Sequence, residues 1–286
     1  MQPFDSLHID SPQAAAAARR SLCRRIFGTP HVPRELPVAD LAVNSPIPAL
    51  PACTRLYTLA CAYSYLWVPP QFNGTLVIVH QGHLPTLNAA GVDGTIIELY
   101  NAGYAVAGCL MPEGGGVHTG LTPLSGFLRP VHATINYAFT TLPTLKKVCM
   151  TGLSGGGWTT TLCAALDTRI MRSIPVAGSL PLYMDAPATP GNDRDWEQQL
   201  PGLEPYSYLD LYLLGSTFAR RQTQVLHDND ECCFNTAWLG TGPDYYIDCR
   251  LRSLANGGEF ARSILGQTAH AYSEANRSVV YVEIAL

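Results

Sequence analysis

Lys146-Lys147-Val148-Cys149-Met150-Thr151-Gly152-Leu153-Ser154-Gly155-Gly156-Gly157-Trp158 is the stretch on which the reading of the whole chain turns. The apolar run from Val148 to Met150 has strand character and drives into Gly152-Leu153-Ser154-Gly155-Gly156; a helix-like stretch, 159–166, follows. Strand, tight turn and helix in that order put a serine at the apex of the turn. A G-x-S-x-G turn in this setting forces the serine backbone into strained dihedrals, and the flanking glycines let strand and helix approach closely. The hydroxyl then stands above the end of a sheet, beside the positive end of a helix. An incidental serine in a glycine-rich turn would share the five-residue pattern. The strand before it and the helix after it favour catalysis.

Outward from this turn, strands and helices alternate. Leu76-Val77-Ile78-Val79 reads as a strand buried on both faces, and 104–110 as another. Between and beyond them, 95–101 and 130–139 read as helices, 174–177 and 223–226 as strands, and 208–215 and 217–221 as helical. Residues 56–68 carry one or two strands, and Ser273 onward closes the chain as helix or strand. The order predicts an α/β fold with a mostly parallel sheet covered on both faces. Residues 1–51, with a short alanine-rich helix and six scattered prolines after it, read as an extension packing on a domain of 52–286. A stretch rich in Pro, Asp and Trp, about 179–206, reads as an insertion.

At 286 residues the chain can bury one large core. Charged residues make up only 14%, and the net charge of −4 leaves no basic surface for nucleic acid. No apolar run is long enough for a membrane span. No G-x-G-x-x-G or P-loop opens a helix, so no cofactor is expected. The glycine run of 113–118 reads as a mobile loop, and Asp193-Arg194-Asp195-Trp196 lacks the spacing of a calcium loop. Of nine cysteines, Cys109, Cys149 and Cys163 fall in apolar runs as buried thiols, and one bridge is expected between the Cys232–Cys233 pair and Cys249. No cysteine or histidine cluster has metal-ligand spacing. Low charge and abundant cysteine lean toward a secreted or periplasmic home, although no signal-peptide pattern is visible.

With its serine turn and strand–helix order, the chain from about Leu56 onward resembles the α/β-hydrolases. That family runs nucleophile, acid, histidine along the chain. Of eight histidines only His227 and His270 follow Ser154, and His227 precedes every acid of the next loop. His270, in a loop before the closing element, is therefore the candidate base. Two aspartates follow the late strand. The resemblance favours Asp230 as the acid, with Asp228 as the alternative and Glu231 third; if both aspartates are solvated loop carboxylates, Asp248 or Glu259 orients the histidine instead. A serine needs such a base to take its proton during attack, and the base needs a carboxylate to fix its tautomer.

The resemblance also implies an oxyanion hole from two backbone N–H groups. One belongs to Gly155; the other lies in His80-Gln81-Gly82-His83, where relatives often carry His-Gly at the place of Gln81-Gly82. That alignment makes His83 the donor, with Gly82 or Gln81 as alternatives. The imidazoles of His80 and His83 are read as ordering the loop, and Trp158, Trp196 and Tyr183 as core or lid packing. The expected activity is that of a serine carboxylesterase forming an acyl-enzyme, acting on a small-molecule or carbohydrate-linked ester, with the insertion as a cap after the family's sixth strand. The alternatives are a catalytically silent binding module on the same fold, or an acyltransferase using the same triad.

Overall fold

The computed structural model of the chain describes residues 7–58, 63–112, 122–184, 195–234, 244–254 and 257–286. Sixteen elements follow in order: α1 (Pro12–Phe27), β1 (Val38–Val43), β2 (Cys53–Tyr57), β3 (Tyr63–Trp67), β4 (Thr75–His80), α2 (Val92–Asn101), β5 (Ala105–Cys109) and α3 (Leu124–Thr141). Then come β6 (Lys147–Leu153), α4 (Gly155–Leu166), β7 (Ile170–Val176), α5 (Tyr208–Ser216), β8 (Arg221–His227), α6 (Asp244–Leu254), β9 (Glu259–Leu265) and α7 (Glu274–Ala285).

The nine strands form one sheet in the order β1-β2-β3-β5-β4-β6-β7-β8-β9. The first three join antiparallel, and everything from β5 to β9 is parallel. Leu76, Val77, Ile78 and Val79 of β4 are each fully buried, because β4 sits between two strands with helices above and below. Burying each such side chain stabilises the fold by about 1.5–3 kcal/mol relative to leaving it in water. Helices α1, α3, α4, α5 and α6 share one apolar cluster, through Leu22, Phe127, Leu162, Leu213 and Leu251. Ile96 of α2 and Val280 and Ile284 of α7 belong to the cluster on the other face. The α/β architecture expected from the alternating pattern is the one observed.

Several elements differ from their sequence reading. Residues 217–220 are not helical: Phe218 and Ala219 adopt left-handed φ of 61° and 59°, and the Arg220 guanidinium folds back onto the Leu214 and Ala164 carbonyls. Those carbonyls end α5 and α4, where a cation is favourable. Helix α3 begins six residues before Pro130 and passes through it. The closing element is a helix, started by Ser273 and Asn276 bonding reciprocally across its first turn. Strands β1 and β9 and helix α6 carry no counterpart in the sequence reading. In the early chain, α1 packs on α3 and α4, and β1 pairs along β2 with Asp40 bonded to Arg55. Trp158 is core, meeting Phe127 edge-on at 5.5 Å. Residues 113–118 and the Asp193-Arg194 pair lie outside the described residues.

Candidate active site

Ser154 sits between the last residue of β6 and the first of α4, at φ 57° and ψ −124°. This is left-handed backbone that a serine adopts only under constraint. Its N–H donates to the Val176 carbonyl at 2.9 Å, and its carbonyl accepts from Trp158 N–H at 3.0 Å, which locks the turn from both sides. The close approach behind it depends on glycine: a Cβ on Gly156 would lie 2.3 Å from the His80 carbonyl oxygen and 2.7 Å from that of Gln81. The serine is 8% exposed and stands at the N-terminus of α4, whose first N–H groups have no partner within the helix.

The loop after β4 lies directly over this turn. A Cβ on Gly82 would stand 2.8 Å from the Ser154 Cβ. Gln81 N–H donates to the Cys109 carbonyl and Gly82 N–H to the Gln81 side-chain oxygen, each at 2.9 Å, so both alternatives to His83 as oxyanion donor are engaged. His80 Nδ1–H donates to the Gln81 carbonyl at 2.7 Å, and burial pulls its imidazole down to about 4, so it is neutral. The His83 ring packs beside Gly155, with its Nε2 3.0 Å from an Asp195 oxygen and 3.6 Å from a Glu197 oxygen. Burial pulls this imidazole down, but the bonds to Asp195 and Glu197 outweigh it and raise it to about 9. His83 is thus a cation that ties the loop to the 3₁₀ turn Trp196–Gln199 of the insertion.

On the neighbouring strand ends, His270 Nδ1 lies 2.8 and 3.0 Å from the two Asp230 oxygens. Asp230 Oδ1 also accepts from the N–H groups of Cys232 and Cys233, at 2.9 and 3.1 Å. Burial pushes this carboxyl up, but bonds from His227 and then His270 outweigh it and hold it well below the usual carboxylate range. Asp228 does different work: its Oδ1 accepts from Gln267 N–H at 3.2 Å and fastens the turn after β8 to the loop after β9. Glu231 is exposed and contributes its N–H to the Thr268 carbonyl. Asp248 lies on α6, and Glu259 begins β9 at the end opposite His270, bonded to Arg221. The structure brings Asp230, among these acids, against His270. Ser154 and His270 make no hydrogen bond with each other here; His270 Nε2 rests 4.0 Å from Cys233 Sγ.

No family model and no curated protein sequence matches the chain. Solved structures do. A methylesterase aligns over 98% of this chain and 65% of its own, at 15% identity and a TM-score of 0.67, so the chain spans slightly less than two thirds of that protein. Acetyl xylan esterase 1 from Thermoanaerobacterium sp. JW/SL YS485 aligns over 99% of this chain and 96% of its own, at 11% identity and a TM-score of 0.57. Est1E from Butyrivibrio proteoclasticus covers 87% and 99%, at 17% identity and 0.50. The chain has the α/β-hydrolase fold.

An α/β-hydrolase sheet delivers its functional groups at the carboxyl ends of its parallel strands. Here that edge collects Ser154 from β6, His83 beyond β4, Asp230 beyond β8 and His270 beyond β9, in register because His227 pairs with Leu265 and Leu153 with Val176. Two features of the edge differ from the sequence reading. The expected bridge to Cys249 is absent: Cys232 bonds to its neighbour Cys233, because the turn that wraps Asp230 points both thiols together, while Cys249 on α6 is free. And His227, passed over as a base, is fully buried with its Nδ1 2.9 Å from Asp230 Oδ2. A histidine three residues before the acid, at a strand end, was the available signal. The expected buried thiols behave as such, with Cys109 and Cys149 pushed up to about 12 by burial and so inert.

Among the described residues, three sets of side chains hold donor atoms within 4.8 Å of one another: His83 with Asp195 and Glu197, His227 with Asp230 and His270, and Cys232 and Cys233 with His270. In the first two sets the same atoms bond to each other, and in the third the sulfurs are joined. A metal would have to displace those bonds.

Proposed function

We propose that this chain is a serine esterase that works through an acyl-enzyme. The observation that carries the reading is Ser154, held at a left-handed φ at the head of α4 while an Asp230–His270 pair stands on the same sheet edge. Ser154 Oγ attacks the ester carbonyl carbon as His270 Nε2 takes its proton. Asp230 keeps the proton on Nδ1 and stabilises the imidazolium that forms. The negative oxygen of the tetrahedral intermediate is received by the N–H groups of Gly155 and His83, each such donor being worth about 10²–10³ in rate. His270 then protonates the leaving alcohol, and water repeats the sequence to free the acid. For attack, Nε2 turns from Cys233 Sγ toward Ser154 Oγ; such bonds are commonly loose before substrate binds.

The similar structures include a methylesterase and an acetyl xylan esterase, which favours a small ester carried on a carbohydrate as substrate. The insertion around residues 179–206 is the segment that shapes its pocket, with His83 joining it to the catalytic edge. The test is a fluorophosphonate probe with the modified peptide read by mass spectrometry. Labelling at Ser154 that is lost in His270→Ala supports the reading, and acetyl and methyl esters of sugars then rank the substrates. Folded protein that takes no label sinks it in favour of a binding module.

A further inference from the structure

Asp230 faces two imidazoles. His270 takes one side of the carboxylate and His227, fully buried at the end of β8, takes the other through Oδ2. The protonation of His227 is readable from its second partner. Asn276 Oδ1 accepts from Ser273 N–H at 2.9 Å and from the Ser273 hydroxyl at 2.8 Å, so the amide is oriented with its NH₂ outward. That NH₂ lies 2.9 Å from His227 Nε2, which must therefore accept. His227 is left with its proton on Nδ1, donated to Asp230. The first turn of α7 thus dictates the tautomer of a histidine on β8, and that histidine dictates where an Asp230 lone pair points.

We propose that His227 is a positioning residue: with Asn276 it pins Asp230 Oδ2 so that the carboxylate is aimed at His270, and it sets how much negative charge His270 feels. The proposal rests on His270 and Asp230 acting as the base and acid of the esterase reading. Oδ1 is held by the N–H groups of Cys232 and Cys233, but Oδ2 has only the two imidazoles as partners among the described residues. Without His227 the carboxylate can pivot about its Oδ1 contacts, and its undivided charge falls on His270. The other titratable groups near this edge are Asp228 and Glu231 in the same turn, Tyr272 bonded to Thr151, and Glu274 and Arg277 on α7, the latter paired with Glu98. None of them bonds to Asp230.

Two variants should shift the profile with opposite signs, and a third should leave it in place. His227→Phe removes the donor, so the acid limb of the kcat profile should move up by about one pH unit, with kcat reduced and KM unchanged. Asn276→Asp keeps the acceptor that starts α7 but presents a carboxylate to His227 Nε2, making His227 a cation beside Asp230. The acid limb should then move down by about as much. His227→Asn puts an amide N–H near the Nδ1 position and should restore the wild-type limb. Shifts of one sign in His227→Phe and Asn276→Asp, or profiles unmoved in both of these as folded proteins, would overturn the proposal. A readout without turnover separates its failure from that of the esterase reading: ¹⁵N-histidine spectra of the full chain at neutral pH. They should show His227 with its proton on Nδ1 alone in wild type and on both nitrogens in Asn276→Asp. A wild-type His227 protonated on Nε2 overturns the positioning role whatever the labelling result, whereas the expected tautomers in a protein that takes no label refute the esterase alone.

Discussion

Gly156→Ala tests the contact on which the serine turn is built. The new methyl carbon would lie 2.3 Å from the His80 oxygen and 2.7 Å from both the His80 carbonyl carbon and the Gln81 oxygen. All are backbone atoms, so no side chain can swing aside. Restoring van der Waals contact at about 3.5 Å requires the head of α4 and the end of β4 to part by about 1 Å. Overpacking of this kind costs about 1–3 kcal/mol, or roughly 2–4 °C of melting temperature per kcal/mol in a chain this large. Function should suffer more than stability, because the same 1 Å separates Ser154 and Gly155 on one side from the His83 loop on the other. A misplacement of that size costs about 100-fold in rate. The assay is fluorophosphonate labelling of Ser154 beside a thermal melt, with Gly94→Ala as a control, a helical glycine whose added Cβ would meet only the flexible Arg277 Nη1, at 3.8 Å. Wild-type melting and wild-type labelling together would refute the close approach of β4 and α4, and with it the proposed use of the His83 loop as oxyanion donor.

Three further outcomes follow from the geometry. Ser154→Gly should abolish labelling yet raise stability by about 1 kcal/mol, since glycine relieves a strained left-handed φ at some cost in chain entropy; a lower melting temperature would contradict the strain. Asp230→Asn should lower kcat by about 10⁴ by offering His270 the wrong tautomer partner, while Asp228→Asn, whose carboxylate bonds the Gln267 N–H, should cost less than about tenfold; similar losses from both would undo the choice of acid. His83 supplies a pH signature. Its imidazole is raised from 6.5 to about 9, so the stability it lends is complete below pH 6.5 and is lost as pH rises through about 9. Melting temperature should fall across that window in wild type and more gently in His83→Gln; equal slopes would separate His83 from Asp195 and Glu197.

Much of the serine turn was legible in the linear chain because its physics is local. A strand, a G-x-S-x-G turn and a helix within twenty residues, Lys147 to Leu166, leave few other ways to fold, and the glycines announce the close packing. The central strands were legible too, since burial on both faces demands continuous apolar runs such as Leu76–Val79. The edges were not. Strand β1 buries none of its residues fully and β9 only Phe260, so no apolar run marks them. Helix α6 is polar around Ile247, Leu251 and Leu254, a spacing of four and three that its charged neighbours obscure. The resemblance ranked Asp230 above Asp228 by its distance from the strand end, but two carboxylates two residues apart carry the same chemistry. The fold separated them: the loop after β9 brings the Gln267 N–H to one and His270 to the other. The contact of His227 with Asp230 and Asn276 likewise came only from elements packed side by side, and the joining of Cys232 to Cys233 only from the turn that holds them. Residue order along the chain selects which groups can react, whereas the distances and tautomers that let them do so exist only once distant strand ends are held side by side.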